Sequence, residues 1–309
     1  MSWLTLAITA YAFLALVNII DKALISNFIK DARVYTFLVG TFGLLSIVFI
    51  PFGFRMPDAT MLSLALITGV WVFLSLHWLF RALSIGEASS VIPVIGGAAP
   101  VFTAVLAAML LGDRFSAPHL LAIGLLVAGT LIIIRVPREH HWWSDLITRF
   151  RHPRRSHYAV LAWGSAFAFA LSFVLSKYIF MREGFVSGFI IIRFGTFLAS
   201  LSVLFIPRVR AHLRETFTHF MSRRGALFFG NQGLGAAAIV LQSYAISIGN
   251  VSYVQALQGI QYAFVFALAL AASVFLPKIL KEYLTPRVII EKSIASFLII
   301  AGTALLALL

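Results

Sequence analysis

Apolar runs of about 20 residues recur along almost the whole chain, and they constrain its fold more than any other feature. A run of this length, folded as an α-helix, matches the thickness of the hydrocarbon core of a bilayer. The composition agrees, because 61% of the 309 residues are hydrophobic and only 11% are charged. A soluble globular chain carries about 25% charged residues. The sequence therefore predicts an all-α polytopic membrane protein.

Ten segments of membrane-spanning length are predicted. Most are joined by only a few residues, so neighbouring helices should run antiparallel. Two connections are longer: residues 136–157 place Trp142 and Trp143 among arginines, which is typical of an amphipathic interfacial helix, and residues 207–224 are predicted to form a basic loop. The ten predicted spans cover residues 3–26, 34–54, 61–84, 89–111, 118–135, 158–181, 187–206, 225–248, 252–276 and 288–309.

A ten-residue pattern occurs twice, each time between two predicted spans. Ala82-Leu-Ser-Ile-Gly-Glu-Ala-Ser-Ser-Val91 and Ala245-Ile-Ser-Ile-Gly-Asn-Val-Ser-Tyr-Val254 are identical at six of ten positions. Such a recurrence after half the chain indicates duplication. Three further pairs follow in the same order: Lys22 with Lys177, Gly40-Thr-Phe42 with Gly195-Thr-Phe197, and Val127-Ala-Gly-Thr130 with Ile300-Ala-Gly-Thr303.

The duplication predicts two five-helix units, residues 1–135 and 158–309, joined by an amphipathic basic linker at 136–157. Because five is an odd number, the second unit should cross the membrane in the opposite orientation to the first. Inverted repeats of this kind are typical of secondary transporters, whose substrate site lies near the bilayer midplane between the repeats.

These motifs resemble those of the drug/metabolite transporter superfamily, and specifically of its ten-span EamA-type members. The resemblance is carried by Ala82–Ser89, by Pro100-Val-Phe, by the turn Leu111-Gly-Asp-Arg114, and by Val127-Ala-Gly-Thr130. It implies a transporter that exports amino acids, metabolites or drugs by alternating access. The second unit departs from the pattern, because it has Ala263-Phe-Val and Phe275-Leu-Pro-Lys278 at the corresponding places.

A net charge of +13 would also suit a nucleic-acid-binding protein. The basic residues, however, lie in loops between spans, which favours a membrane protein. Most follow odd-numbered spans, and the positive-inside rule then places those loops in the cytoplasm and both termini outside. The family resemblance instead implies cytoplasmic termini, so two orientations remain open. The expected location is the bacterial cytoplasmic (inner) membrane, as a multi-pass protein.

Three basic side chains fall within predicted spans, where a charge costs about 2.5–3.5 kcal/mol on insertion scales. Lys22, Lys177 and Arg193 are therefore predicted to line a substrate cavity and to favour an anionic or zwitterionic substrate. The resemblance extends to these residues. Lys22 and Lys177 resemble the lysine that often ends the first helix of each repeat in the family, and Arg193 resembles an arginine that is frequent in the second helix. Snorkelling towards headgroups is the alternative. Asp21 shares a helical face with Lys22, so local charge compensation is equally open.

Uncharged polar and aromatic residues extend the predicted cavity lining. Gln255, Gln258 and Tyr262 form a stripe at helical spacing in span 9, and lipid offers such groups no hydrogen-bond partner. Hydrogen bonding between helices is the alternative for the glutamines, and simple core packing is the alternative for His77. The lining predicted from the other spans comprises Gln242, Trp71, His77 and Trp78.

Enzyme and metal motifs do not occur in the sequence. There is no Gly-x-x-x-x-Gly-Lys-Ser/Thr loop, no His-Glu-x-x-His motif and no cysteine. We expect no enzyme activity, cofactor or metal site. The expected partners are a small-molecule substrate, the lipid bilayer and a coupling proton or other ion, in a monomer or homodimer. Two other hypotheses stay open: a flippase or processing protein for an anionic lipid or polyprenyl carrier, and a non-transporting scaffold.

Overall fold

The structure, a computed structural model, describes residues 2–29, 31–85, 88–135, 153–218, 222–261, 264, 268 and 286–308. All regular structure in these ranges is α-helical or 3-10 helical, without a strand. The predicted all-α class is therefore confirmed.

The helices of the first half follow the predicted spans to within a few residues. α2 continues into a 3-10 segment, Gly43–Phe52, so together they complete the second span. Asp31 caps the start of α2 by accepting a hydrogen bond from the Arg33 backbone N–H at 2.8 Å. The α-helices are α1 Trp3–Asn27, α2 Ala32–Phe42, α3 Ala59–Ile85, α4 Ala88–Leu110 and α5 Ala117–Arg135.

Six α-helices of the second half have bounds within the described residues. α7 continues into a second 3-10 segment, Ser202–Phe205. The helices are α6 Pro153–Glu183, α7 Phe185–Leu201, α8 Pro207–Thr218, α9 Arg223–Ile248, α10 Val251–Ala256 and α11 Pro286–Leu308.

Several helices are long and apolar enough to cross a bilayer, so the chain is an integral multi-pass membrane protein. The segments that meet this criterion among the described residues are Trp3–Asp21, Ala32–Phe52, Ala59–Ile85, Val160–Glu183 and Phe185–Phe205, and shorter apolar helices occur at Val94–Leu110, Ala117–Gly129 and Ser293–Gly302. The ten predicted spans fit this arrangement. The predicted linker helix at 136–157 lies outside the described residues up to residue 152.

Alternation of the long helices gives the bundle two ends. The start of α1 meets the α9–α10 connection, where the rings of Trp3 and Tyr253 are 6.3 Å apart. At the other end, Asp31 meets His212 of α8 at 3.0 Å. We call these ends the N-terminal face and the basic face.

The basic loop predicted at 207–224 is in fact largely a helix, α8. Its first residue is Pro207, which the first turn of a helix accommodates because its missing N–H would have no partner there. Val209 is buried and Leu213 packs beside it, one turn further on, while Arg208 and Arg214 are exposed. The apolar i, i+4 pair was the available sequence signal, and the surrounding arginines obscured it.

The ninth span is interrupted. α10 ends at Ala256, Leu257 forms a turn, and helical structure resumes at Gln258. The fully buried Tyr11 donates its hydroxyl to the Val254 carbonyl at 2.8 Å. Tyr11 thereby satisfies a backbone acceptor beside the interruption, as low-dielectric surroundings require.

The two halves pack against one another along most of their length. α1 lies on α9, α3 lies on α6 and α7, and α5 lies on α11. The contact of α3 with α7 is very close, because a Cβ on Gly69 would lie 2.5 Å from the Thr196 nitrogen and one on Gly195 would lie 2.7 Å from the Leu66 carbonyl oxygen. Small residues permit such approach of membrane helices.

Candidate functional site

A cavity of about 240 Å³ lies within the bundle, bounded by α1, α2 with its 3-10 extension, α3, α4, α6, α7, α9 and the residues that follow α10. Both halves of the chain supply walls, and α2 and α9 both contribute to the lining. Its apolar walls combine aliphatic side chains with six aromatic ones, Phe42, Phe49, Phe80, Phe169, Phe173 and Phe189. Its polar lining includes Asn18, Asp21, Arg193, Gln232, Gln258 and Gln261.

Arg193 reaches the cavity from the middle of α7. Its guanidinium carbon lies 5.3 Å from the centroid of the Phe189 ring, which is a cation–π arrangement. Its Nε is buried and has no hydrogen-bond partner among the described residues. A buried donor without a partner loses free energy comparable to a hydrogen bond, so this group is available to an acceptor on a ligand.

Glutamines supply most of the remaining polar groups. The Oε1 atoms of Gln258 and Gln261 are buried without a hydrogen-bond partner among the described residues. Gln242 also lines the cavity and donates through Nε2 to the Tyr11 hydroxyl at 3.3 Å. The cavity therefore presents a fixed positive charge and unfilled amide acceptors between aromatic walls.

Asp21 adds an acidic group to the same lining. Its Oδ1 accepts hydrogen bonds from the Tyr35 hydroxyl of α2 and from Asn231 Nδ2 of α9, the latter at 2.6 Å. The residue is only 8% exposed. Asn18, one turn earlier on the predicted polar face of α1, lines the cavity with it.

The structure brings together only some of the predicted site residues. Arg193, Gln242 and Gln258 share the cavity, whereas Gln255 is fully buried outside its lining, with neither amide atom paired among the described residues. The side chain of Lys22 and the whole of Tyr262 lie outside the described residues.

The three predicted residues of α3 lie away from the cavity lining. Trp71 meets the ring of Phe167 edge to face at 6.4 Å, and Trp78 packs on Gly164. His77 is stacked on Phe73 with a centroid distance of 5.8 Å. Both tryptophans thus pack against α6, and His77 against its own helix.

Lys177 lies in a different cavity, of about 700 Å³, at the N-terminal face. Its Nζ donates to the carbonyl oxygens of Ser247 at 3.0 Å and Gly249 at 2.8 Å. Basic side chains commonly satisfy the last carbonyls of a helix in this way. Lys177 therefore caps the C-terminal end of α9 from the end of α6.

The same face holds a bridge between the two halves. Asn250 donates through Nδ2 to the Asp113 carboxylate at 2.7 Å and also caps α10. His119 stacks on Tyr253 at 4.9 Å, with nearly parallel rings. The Leu111–Arg114 turn and the Ala245–Val254 corner, two of the sequence motifs, thus meet at the N-terminal face.

Sequence reasoning missed the phenylalanines as cavity lining, and it placed Gln232 only on a side of its span that faces the bundle or a cavity. Gln232 was visible as a polar residue in a span, but its direction depends on how α9 packs. The phenylalanines carry no sequence signal, because 29 of them are distributed along the chain. Among the described residues, no three His, Asp or Glu side chains are grouped as a metal site would require.

Comparison with known proteins agrees with a membrane transporter. Residues 1–135 match the model of the EamA-like transporter family. This first half of the chain belongs to that family, within the drug/metabolite transporter superfamily, which confirms the resemblance seen in the motifs. Members of the family are transporters of small solutes rather than enzymes.

The whole chain also resembles a solved protein. One crystal structure of a protein superposes on this chain with a TM-score of 0.67 and has 17% sequence identity to it. The similarity covers 99% of this chain and 96% of the other. At this identity the likeness concerns the fold alone. No curated protein matches the sequence.

Proposed function

We propose that the protein is a secondary transporter that exports a small organic metabolite, amino acid or drug by alternating access. The cavity between the two halves carries this proposal. It combines an arginine that has an unpaired Nε, two unfilled amide oxygens and aromatic walls. A pocket with a few convergent polar groups in an apolar wall is typical of a small-molecule site.

The cavity chemistry favours a zwitterionic or anionic substrate with an apolar body. Arg193 offers hydrogen-bond donors and a positive charge, which suits a carboxylate. Gln258 and Gln261 offer acceptors, which suit an ammonium or amide group. The phenylalanines suit a hydrophobic or aromatic side chain.

The proposed mechanism treats residues 1–135 and 158–309 as inverted five-helix units joined by the linker at 136–157. Equivalent helix pairs support this division: α1 packs on α9 as α6 packs on α3. The glycines of the two equivalent Ala-Gly-Thr motifs, Gly129 and Gly302, both lie at the α5–α11 contact. Such a relation is what a two-fold axis in the membrane plane would produce.

Flux into proteoliposomes tests the proposal directly. Native protein should move at least one solute of a panel of radiolabelled amino acids and organic anions, and Arg193→Met should lower that flux on the order of tenfold, the effect of about 1.4 kcal/mol. Arg182→Met is the matched control, because Arg182 is exposed at the end of α6 and does not line the cavity. Absence of flux for every solute, with correctly folded protein, would contradict transport.

Fluorescent anionic lipid in the same vesicles distinguishes the alternative function. If lipid crosses the bilayer at the same rate with and without protein, a flippase is excluded. If lipid moves and no solute does, the proposed substrate class is wrong.

We also propose that the protein lies in the bacterial cytoplasmic membrane with its basic face in the cytoplasm and both termini outside. Exposed Arg208, Arg210 and Arg214 of α8 add to the charge on that face. A C-terminal alkaline phosphatase fusion should be active and a fluorescent protein fusion dark. The reverse result would support the orientation that the family resemblance implied. A monomer or homodimer is expected by light scattering.

A further inference from the structure

Asp21 presents a carboxyl group to the cavity from within the membrane-spanning part of α1. Tyr35 and Asn231 are its hydrogen-bond donors, and both are neutral. No basic side chain of the described residues pairs with it; the ion pair that these residues form joins Asp31 to His212. An ionised carboxylate without a cation is expensive in a low-dielectric interior, and such groups commonly neutralise by taking up a proton.

The surroundings of Asp21 can serve both of its charge states. Two donors stabilise the ionised form. For the protonated form, the same Asn231 amide offers its Oδ1, a buried acceptor with no partner among the described residues. A proton delivered from cavity water to Asp21 Oδ2 would complete a cyclic acid–amide pair, with Oδ2–H donating to Asn231 Oδ1 and Asn231 Nδ2 donating to Asp21 Oδ1.

The hydrogen bonds of Asp21 tie together helices that bound the cavity. Tyr35 belongs to α2, Asn231 belongs to α9, and both meet on α1. Because α2 and α9 both line the cavity, a change in these hydrogen bonds alters how two of its walls are held. Protonation is thus linked to the geometry of the space in which a substrate would bind.

Other titratable or charged groups near this position are few among the described side chains. Tyr35 faces Asp21 from α2, and Arg193 of α7 shares the cavity lining. His77 of α3 stacks on Phe73 and does not line the cavity. α9 contributes neutral Asn231 and Gln232. Among the described side chains, Asp21 is therefore the acid of this cavity, and Arg193 is its fixed positive charge.

We propose that Asp21 is the site that takes up and releases the coupling proton during the transport cycle, with Tyr35 and Asn231 as positioning residues. The proposal rests on the proposed transport function, for which it names the coupling ion and its binding residue. One carboxyl group changes between its ionised and protonated forms once per cycle.

Infrared difference spectroscopy of the purified protein in nanodiscs tests proton binding without a substrate. The carbonyl stretch of a protonated carboxylic acid should appear as the buffer is changed from about pH 8 to about pH 5, because burial disfavours the ionised form of a carboxyl group, and Asp21→Asn should remove it. Asp58→Asn is the matched control: Asp58 lies outside the cavity and accepts hydrogen bonds from backbone N–H groups at the start of α3, which Asn can also do. A band that is present or absent at both pH values would overturn the proposal.

Two further variants keep the test valid if Asp21→Asn folds poorly. Asp21→Glu retains an acid and should retain a pH-dependent band. Tyr35→Phe removes one donor to the ionised form, so its band should be retained with a midpoint at higher pH than in the native protein. A Tyr35→Phe titration identical to the native one would contradict the role given to Tyr35.

Proteoliposomes loaded with the pH dye pyranine separate this inference from the proposed function. For a solute that the native protein moves, a pH gradient should increase flux on the order of tenfold, and Asp21→Asn should lose that dependence while retaining exchange of labelled for unlabelled solute. Flux with the same pH dependence in both proteins would overturn the role of Asp21 and leave transport standing. If no solute moves, transport is contradicted and the infrared titration still decides whether Asp21 exchanges a proton.

Discussion

Two helix pairs that the proposed repeats make equivalent are built in opposite ways. α3 and α7 meet through glycines, with Gly69 and Gly195 each set directly against the backbone of the other helix. α2 and α9 are separated by aromatic rings: Phe228 lies 5.8 Å from Tyr35 and 5.9 Å from Phe42. One pair is therefore in close backbone contact, whereas the other meets through bulky side chains and both of its helices line the cavity. In an alternating-access transporter this difference would mark a state open to one side only.

The largest effect is expected where aromatic rings hold α2 and α9 apart. Phe228 is fully buried among Tyr35, Phe42 and Phe229. Phe228→Ala should lower the free energy of unfolding on the order of 3–5 kcal/mol, since buried Phe→Ala substitutions leave a cavity. Thermal unfolding in detergent measures the loss. Phe229→Ala is the control and should lower the free energy of unfolding clearly less, because Phe229 is about half exposed. Equal losses would show that the buried Phe228 ring has no special role in this contact.

One added methyl group should disrupt the close contact between α3 and α7. Gly69→Ala places a Cβ 2.5 Å from the Thr196 nitrogen, and backbone cannot yield as a side chain can. We expect a loss of about 1–3 kcal/mol, the usual result of overpacking. Gly124→Ala is the matched control, because its Cβ would meet nothing within 4 Å, and alanine favours the helix by up to about 1 kcal/mol. A loss for Gly124→Ala equal to that for Gly69→Ala would contradict the close contact.

Opening of the N-terminal face should follow loss of its polar bridges. Lys177→Met leaves the Ser247 and Gly249 carbonyls without their donor, and hydrogen bonds from charged groups contribute about 1.5–3 kcal/mol. In the cysteine-free chain, Val254→Cys places one thiol at a fully buried position beside Tyr11. Its labelling by a water-soluble maleimide should accelerate on the order of tenfold, which corresponds to about 1.4 kcal/mol.

Arg182→Met in the same Val254→Cys background should leave the labelling rate unchanged, because Arg182 is exposed and contacts the Tyr178 ring. Acceleration by both substitutions would indicate a general loosening of α6.

The smallest effect is expected at the exposed contact of α8. Partial burial acts to raise the pKa of Asp31, but the hydrogen bonds from His212 and the Arg33 N–H, with their charges, outweigh it and hold that pKa below its ordinary value. Ionised Asp31 thus stabilises the fold above about pH 3.9, and this contribution is lost as pH falls towards the lowered pKa. His212→Ala should change stability by less than about 1 kcal/mol, as exposed pairs do. A larger shift in the thermal midpoint at neutral pH would contradict this.

The spans were predictable because their length and hydropathy follow from the bilayer alone. Part of the cavity lining was predictable for a related reason. Lipid offers no hydrogen-bond partner to the polar groups of Arg193, Gln242 and Gln258. Sequence could not give the direction in which each side chain points: Lys177 and Arg193 flank one short connection, yet one caps α9 and the other enters the cavity.

The glutamine stripe illustrates the same limit. It assumed one continuous helix, but the turn at Leu257 separates Gln255 from Gln258 and Gln261. Gln255 is consequently buried outside the cavity lining while the two later glutamines line it. Gly259 lies two residues after Leu257, but a single glycine inside a helical pattern is too weak a signal to predict an interruption.

The interruption at Leu257 has a mechanical consequence. In a continuous helix all side chains are oriented about one axis. A turn divides the helix into two shorter rods, each oriented by its own contacts. The rod that begins at Val251 is tethered to α1 through Tyr11. The second rod carries Gln258 and Gln261 into the cavity lining, so one predicted span serves both the N-terminal face and the cavity.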